Sequence, residues 1–330
     1  MRTYGINYDT GFSPMGEISR PDWDFRAVRD EMRVIANELH CDAVRISGGE
    51  VERLSAAAEA AAEAGLAVWF APFPCDLTEG GLLEFFAECA GRAEDVRSAG
   101  TEVVFVAGCE ISLFNPGFFA GQGFPERLAG FGAESFREHY PEAMAKLNGF
   151  LHKAANTVRS RFGGRLTYAS GPWERIDWTP FDIVGVDAYR AAYNAGNYRE
   201  ELRAHLTCGK PVAATEFGCC TYRGAAQRGG EGWMIVDEAA RPPRIDGDYQ
   251  RDEHEQAQYL DELLTVFEEE GLDAAFWFTF AGYGLTHRPD DPQHDLDLAS
   301  YGVVKIVPGG WEPKESFRVM AARYANRPAA

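Results

Sequence analysis

The sequence lacks the marks of several protein classes. No apolar run approaches the roughly 18 to 20 residues of a membrane span. No Gly-x-Gly-x-x-Gly or Walker-type loop follows a strand-like run, which removes the usual signature of a dinucleotide or nucleotide site. The seven cysteines form no Cys-x-x-Cys pair and no zinc-finger spacing. Basic residues are few: 32 Lys and Arg against 51 Asp and Glu leave a formal charge of −19. A field of that sign repels phosphate backbones and anionic lipid, which argues against nucleic acid or a membrane as partner. The odd, scattered cysteines fit a reducing compartment. Arg2–Tyr8 reads as a strand rather than a secretory leader, so a cytoplasmic location is expected. The vicinal Cys219 and Cys220 read as two small buried thiols.

What is present is an ordinary globular composition, 330 residues with 45% hydrophobic and 25% charged. Short apolar runs alternate with longer segments of helical period. The runs are Arg2–Tyr8, Cys41–Ser47, Leu66–Phe73, Glu102–Glu110, Leu166–Ser170, Asp182–Tyr189, Pro211–Phe217 and Ala274–Phe280, most too apolar to have a wet face. Between them, Val28, Met32, Ile35 and Leu39 share one helix face, as do Leu260, Leu263, Leu264 and Phe267. The Ala-rich segment Glu50–Ala64 is a strong helix former stopped by Gly65. Eight buried strands, each followed by a helical stretch, predict an α/β fold of the (β/α)8 barrel type, a single domain over 1–330. A doubly wound open sheet is the competing architecture, disfavoured by the missing glycine fingerprint. Three connections are long, Ile111–Ala133, Gly218–Gln250 and Gly282–Ser300, and in a barrel they would lie on the catalytic face.

In a barrel the side chains at the C-terminal ends of the strands converge on the mouth. Glu110 and Glu216 stand out there, because each terminates an apolar strand where desolvating a carboxylate is costly without a role or a partner. Two such acids suffice for glycosidic cleavage: one protonates the leaving oxygen and the other attacks the anomeric carbon. Arg45, ending strand two, could keep the attacking partner ionised. The plainer alternative is a pair of solvated or salt-bridged strand-end acids.

Gly209-Lys210-Pro211-Val212-Ala213-Ala214-Thr215-Glu216-Phe217-Gly218 resembles the strand-seven nucleophile segment of the (β/α)8 retaining glycoside hydrolases known as clan A, which includes many cellulases, β-mannanases and β-galactosidases. The resemblance covers nearly the whole chain in strand order. It implies Glu216 as nucleophile, Glu110 as acid/base, Arg45 as the arginine beside the nucleophile, Tyr189 as a tyrosine that hydrogen-bonds it, and Trp277 as the floor of the sugar subsite. One departure stands out. The clan has Asn before the acid/base, where it binds the sugar 2-hydroxyl, and this chain has Cys109, a weak hydrogen-bond partner. Asn7 on strand one is a candidate to take over that role, and Asp187 is either a third site carboxylate or a structural acceptor.

The stretch His287, Asp290, Asp291, His294, Asp295 and Asp297 could hold a divalent ion but matches no ligand motif, so a solvated loop is expected and no metal. Trp173, Trp178, Tyr193, Tyr222, Trp233 and Tyr283 fall in top-face loops, where each could stack on a sugar or anchor its loop. The expected activity is a retaining glycosidase that needs no cofactor and takes a small glycoside, oligosaccharide or glycosylated metabolite. Two alternatives stay open: a biosynthetic acid/base enzyme (isomerase, cyclase or transglycosidase) on the same barrel, and a catalytically silent barrel that binds carbohydrate.

Overall fold

In a computed structural model, which describes residues 1–327, eight parallel strands form one sheet. They are β1 (Thr3–Asp9), β2 (Ala43–Gly48), β3 (Ala67–Pro72), β4 (Val103–Cys109), β5 (Arg165–Ala169), β6 (Val184–Asp187), β7 (Val212–Phe217) and, after a two-strand excursion, β10 (Ala274–Trp277). Their order is β5-β4-β3-β2-β1-β10-β7-β6. The ends of that order are joined as well, by a parallel bridge between Ser170 and Val186 and by the Asp187 N–H on Ser170 O at 2.9 Å. The fold is a (β/α)8 barrel, and every predicted run overlaps its strand, with β1, β2 and β5 each reaching one residue outside it.

The helices are α1 (Phe25–Asn37), α2 (Val51–Glu63), α3 (Glu79–Ser98), α4 (Ile111–Phe114), α5 (Phe124–Gly130), α6 (Glu134–Arg159), α7 (Tyr198–Leu206), α8 (Glu253–Glu270) and α9 (Glu315–Ala325). Local signals set their ends. Asp252 caps α8 by accepting the Glu255 N–H at 3.0 Å, and Gly271 ends it at φ +81°, where glycine carries no Cβ penalty. No helix among the described residues is long and apolar enough to cross a membrane.

By internal packing the chain divides into two compact units, each drawn from separated segments. The first comprises residues 1–9, 30–44 and 188–330. Its core is the apolar stripe of α8, with Phe267 edge-on to Phe217 at 5.0 Å and Tyr259 against Trp277 at 6.4 Å. It also holds the small ladders β8 (Val236–Asp237) with β9 (Arg244–Ile245), and β11 (Ala281–Thr286), β12 (Val304–Val307) and β13 (Gly310–Pro313). The second comprises residues 10–29 and 45–187. There Phe105 of β4 stacks on Phe70 of β3 at 6.1 Å and meets Phe86 of α3 and Phe162, while the alanines of α2 let that helix lie close.

Two details depart from the sequence expectation. No helix follows β5: residues 170–183 run as turns, interrupted by Pro172 and Pro180, whose rings remove backbone donors. The last barrel strand stops at Trp277, three residues before the end of its apolar run. The long connections are partly ordered, by α4 and α5 after β4, by the β8–β9 ladder after β7, and by β11 after β10.

Candidate active site

At the end of β7, Phe217 packs outward against α8, so strand alternation sends Glu216 to the opposite face. Glu216 is 9% exposed, and the Tyr189 hydroxyl donates to its Oε2 at 3.0 Å. Tyr189 is itself held in place. Its ring stands edge-on to Tyr301 at 5.9 Å, and a Cβ on Gly230 would come within 3.2 Å of it, so the glycine backbone lies against the ring. The Tyr301 hydroxyl donates to Gly229 O at 2.8 Å and accepts the Gly232 N–H at 3.0 Å, tying the loop after β7 to the same aromatic group.

At the end of β4 the main chain does the aiming. Gly108 has φ +92°, and the register of β4 against β5 shifts between Val106 and Cys109. A Cβ at 108 would sit 2.5 Å from the Ile111 side chain, so only glycine fits this bulge, which breaks the alternation set by Phe105. Cys109 is buried and its Sγ donates to Asp187 Oδ2 at 3.5 Å. Glu110 then takes φ 43° and ψ 40°, a left-handed conformation that is rare for a residue with a side chain. Its N–H is bonded to Ala169 O at 3.0 Å, its carbonyl accepts from Leu113 N and Phe114 N, and its side chain is half-buried. Backbone of this kind persists where the surroundings over-determine it, and it clusters at functional sites.

The structure thus brings Tyr189 onto Glu216, and Cys109 onto Asp187. Arg45 is fully buried on β2. Two expected site residues take other roles. Trp277 has no exposed surface: its indole N–H is bonded to Tyr301 O at 3.0 Å and its ring meets Phe217 and Tyr259, so it faces the helices and has no face to offer a sugar. Its neighbour Phe278, half-buried and edge-on to Tyr301, is the better placed aromatic. Asn7 directs its amide nitrogen at Thr215 O, Phe276 O and Trp277 O at 3.0 to 3.3 Å, bracing strand ends rather than reaching for a hydroxyl.

The acidic stretch after strand eight is the expected solvated loop only in part: Asp290 and Asp291 are exposed, but its later residues are not. Asp295 and Asp297 are buried, Arg251 bridges both at 3.1 and 2.9 Å, His287 meets Asp295, and the fully buried Lys314 lies 2.9 Å from Asp297. Cations already occupy these carboxylates, so the arrangement is an internal ion-pair network. Of the loop aromatics, Tyr222 and Tyr283 serve as anchors, donating to Gly232 O and Glu31 respectively, while Tyr193 is exposed. Cys219 and Cys220 are buried free thiols pushed up by desolvation, as expected of packing residues.

No family model matches the chain, and no curated protein matches it either. Solved structures do. A GH113 β-mannanase from Alicyclobacillus acidocaldarius, in complex with ManMIm, matches with a TM-score of 0.64 at 15% identity, covering 98% of each chain. A GH113 β-1,4-mannanase complex matches at 0.62 and 15% identity over 99% of this chain and 100% of the other. A GH5_18 variant from Streptomyces cattleya, in complex with Manβ1-4GlcNAc, matches at 0.60 and 14% identity over 100% of this chain and 82% of the other. At such identities the likeness establishes the barrel fold, and the chemistry has to be argued from the residues.

Proposed function

We propose that the chain is a retaining glycoside hydrolase acting on a small glycoside or oligosaccharide, with Glu216 as nucleophile and Glu110 as acid/base. The observation that carries this reading is the Tyr189 hydroxyl on Glu216, which fixes one oxygen of a carboxylate set at the end of an apolar strand. The structural neighbours named as mannanases support it. In the first step Glu110 gives its proton to the leaving oxygen while a Glu216 oxygen bonds to the anomeric carbon. In the second, Glu110 takes a proton from water, which attacks that carbon and releases Glu216. Arg45, always charged, supplies positive potential at the strand ends.

The test is covalent trapping with 2,4-dinitrophenyl 2-deoxy-2-fluoro-β-mannoside and the matching β-glucoside. The expected result is a fluoroglycosyl adduct on the peptide bearing Glu216, with the substrate's anomeric configuration retained in the product by proton NMR. An active enzyme that inverts configuration, or whose adduct maps to another residue, overturns the assignment. A second reading, an acid/base isomerase, cyclase or transglycosidase, is favoured by the Cys109–Asp187 bond, because a thiol engaged with a carboxylate replaces the amide that glycosidases of the resembling clan present to the 2-hydroxyl. Free reducing sugar released steadily from aryl glycosides would remove it.

A further inference from the structure

A buried carboxylate that this chemistry does not use lies behind Glu110. Glu174, in the connection after β5, collects four donors. Ser112 N (3.2 Å) and Ser112 Oγ (2.6 Å) reach Oε1, while Tyr168 Oη (2.8 Å) and Gly171 N (3.2 Å) reach Oε2. Tyr168 Oη in turn accepts the Ile111 N–H at 2.8 Å. Ile111 and Ser112 are the first two residues of α4, so their amides are donors that a helix start leaves without an internal acceptor. Both are satisfied from one place, Ser112 by the carboxylate directly and Ile111 through the phenol. Burial pushes the Glu174 carboxyl up to about 7 against the opposing pull of these hydrogen bonds. A neutral side chain of the same shape would avoid that desolvation.

We infer that Glu174 is a positioning residue for Glu110: through Ser112 and Tyr168 its carboxylate fixes the first turn of α4, and with it the left-handed backbone that aims the Glu110 side chain. The clamp stands on its own geometry, whereas its catalytic meaning rests on the reading of Glu110 as the acid/base. Glutamine cannot replace Glu174 without conflict. Each carboxylate oxygen receives a backbone N–H, so either orientation of the amide turns its NH2 group onto a donor that cannot reverse.

Two variants test the inference, Glu174→Gln and Tyr168→Phe, the second keeping the buried ring and removing only the hydroxyl. The first readout is hydrogen exchange at single amides, which needs no substrate. Exchange should quicken about tenfold or more at Ser112 in Glu174→Gln and at Ile111 in Tyr168→Phe, while the β4 amides keep their protection. Unchanged protection at both sites in a folded variant overturns the clamp. The second readout is leaving-group dependence in the sugar series that the wild type hydrolyses. For a phenyl glycoside kcat/KM should fall about tenfold or more, while the 2,4-dinitrophenyl glycoside, which leaves without a proton, should stay within about threefold. An equal fall for both substrates overturns the link to Glu110. If the wild type hydrolyses no glycoside, the glycosidase reading fails, and the exchange result still decides the clamp.

Discussion

The ends of β7 and β4 each present a carboxylate, and the chain aims the two by different means. Glu216 lies within a strand of ordinary extended backbone and is oriented by a side chain, the Tyr189 phenol, which the Gly230 backbone and Tyr301 hold in turn. Glu110 lies one residue past its strand, in a left-handed conformation fixed by hydrogen bonds to the main chain around it. A group aimed by a side chain can be weakened by one conservative substitution. A group aimed by its own backbone answers to residues that never touch it. For a retaining glycosidase the contrast suits the two roles: the nucleophile must hold a fixed line to one carbon, while the acid/base must serve a leaving oxygen and then a water.

The largest effect expected is at β7. Glu216→Gln should lower kcat by about 10,000-fold or more, as removal of a nucleophile does elsewhere, with the circular dichroism spectrum and Tm retained. Residual activity near the wild-type level would end the comparison at its first term. At β4, Glu110→Ala should cost a phenyl glycoside about 100- to 10,000-fold in kcat/KM, the usual contribution of a general acid. It should cost a 2,4-dinitrophenyl glycoside far less, and azide should restore turnover by attacking the intermediate without a base. A uniform loss across leaving groups would show that Glu110 is not the proton donor. Tyr189→Phe removes one hydrogen bond to a charged group, worth about 1.5–3 kcal/mol, so kcat should fall roughly 10- to 100-fold with KM little changed. A KM effect alone would move Tyr189 from aiming the nucleophile to binding the sugar.

Sequence reasoning reached these two ends unequally. The strands were readable because a parallel sheet buries both faces, so each strand is an unbroken apolar run. Glu216 was readable because it interrupts such a run. Glu110 was readable as a residue but its conformation was not, since φ there follows from the Gly108 bulge against β5 and the bond to Ala169, which are tertiary facts, together with the local bonds to the start of α4. Trp277 illustrates how parity misleads. In Phe276-Trp277-Phe278 a shift of one residue exchanges inside for outside, and only packing against Phe217 and Tyr259 shows that the tryptophan faces the helices. Asp297 was hidden because Arg251 and Lys314, the cations that make its burial affordable, come from other parts of the chain. Glu174 carried one faint signal, a lone acid among Gly171-Pro172-Trp173 in a connection with no helical period.

The smallest effect distinguishes the two ends by pH. Burial raises the Glu174 carboxyl from 4.5 to about 7, so the folded chain holds a proton there that the unfolded chain has released. Stability from this group is fully present below pH 4.5, where both states are protonated, and is lost as pH rises through about 7. Between pH 6 and 8 the folded group passes from mostly protonated to mostly ionised, which lowers the unfolding free energy by about 1 kcal/mol. Urea unfolding of wild type and Glu174→Gln at both pH values isolates the term, because every other titrating group is common to the two proteins. The wild type should lose about 1 kcal/mol more than the variant over that interval. If instead the two lose the same amount, Glu174 keeps one protonation state throughout. The turn that follows Glu110 would then be held equally at either pH.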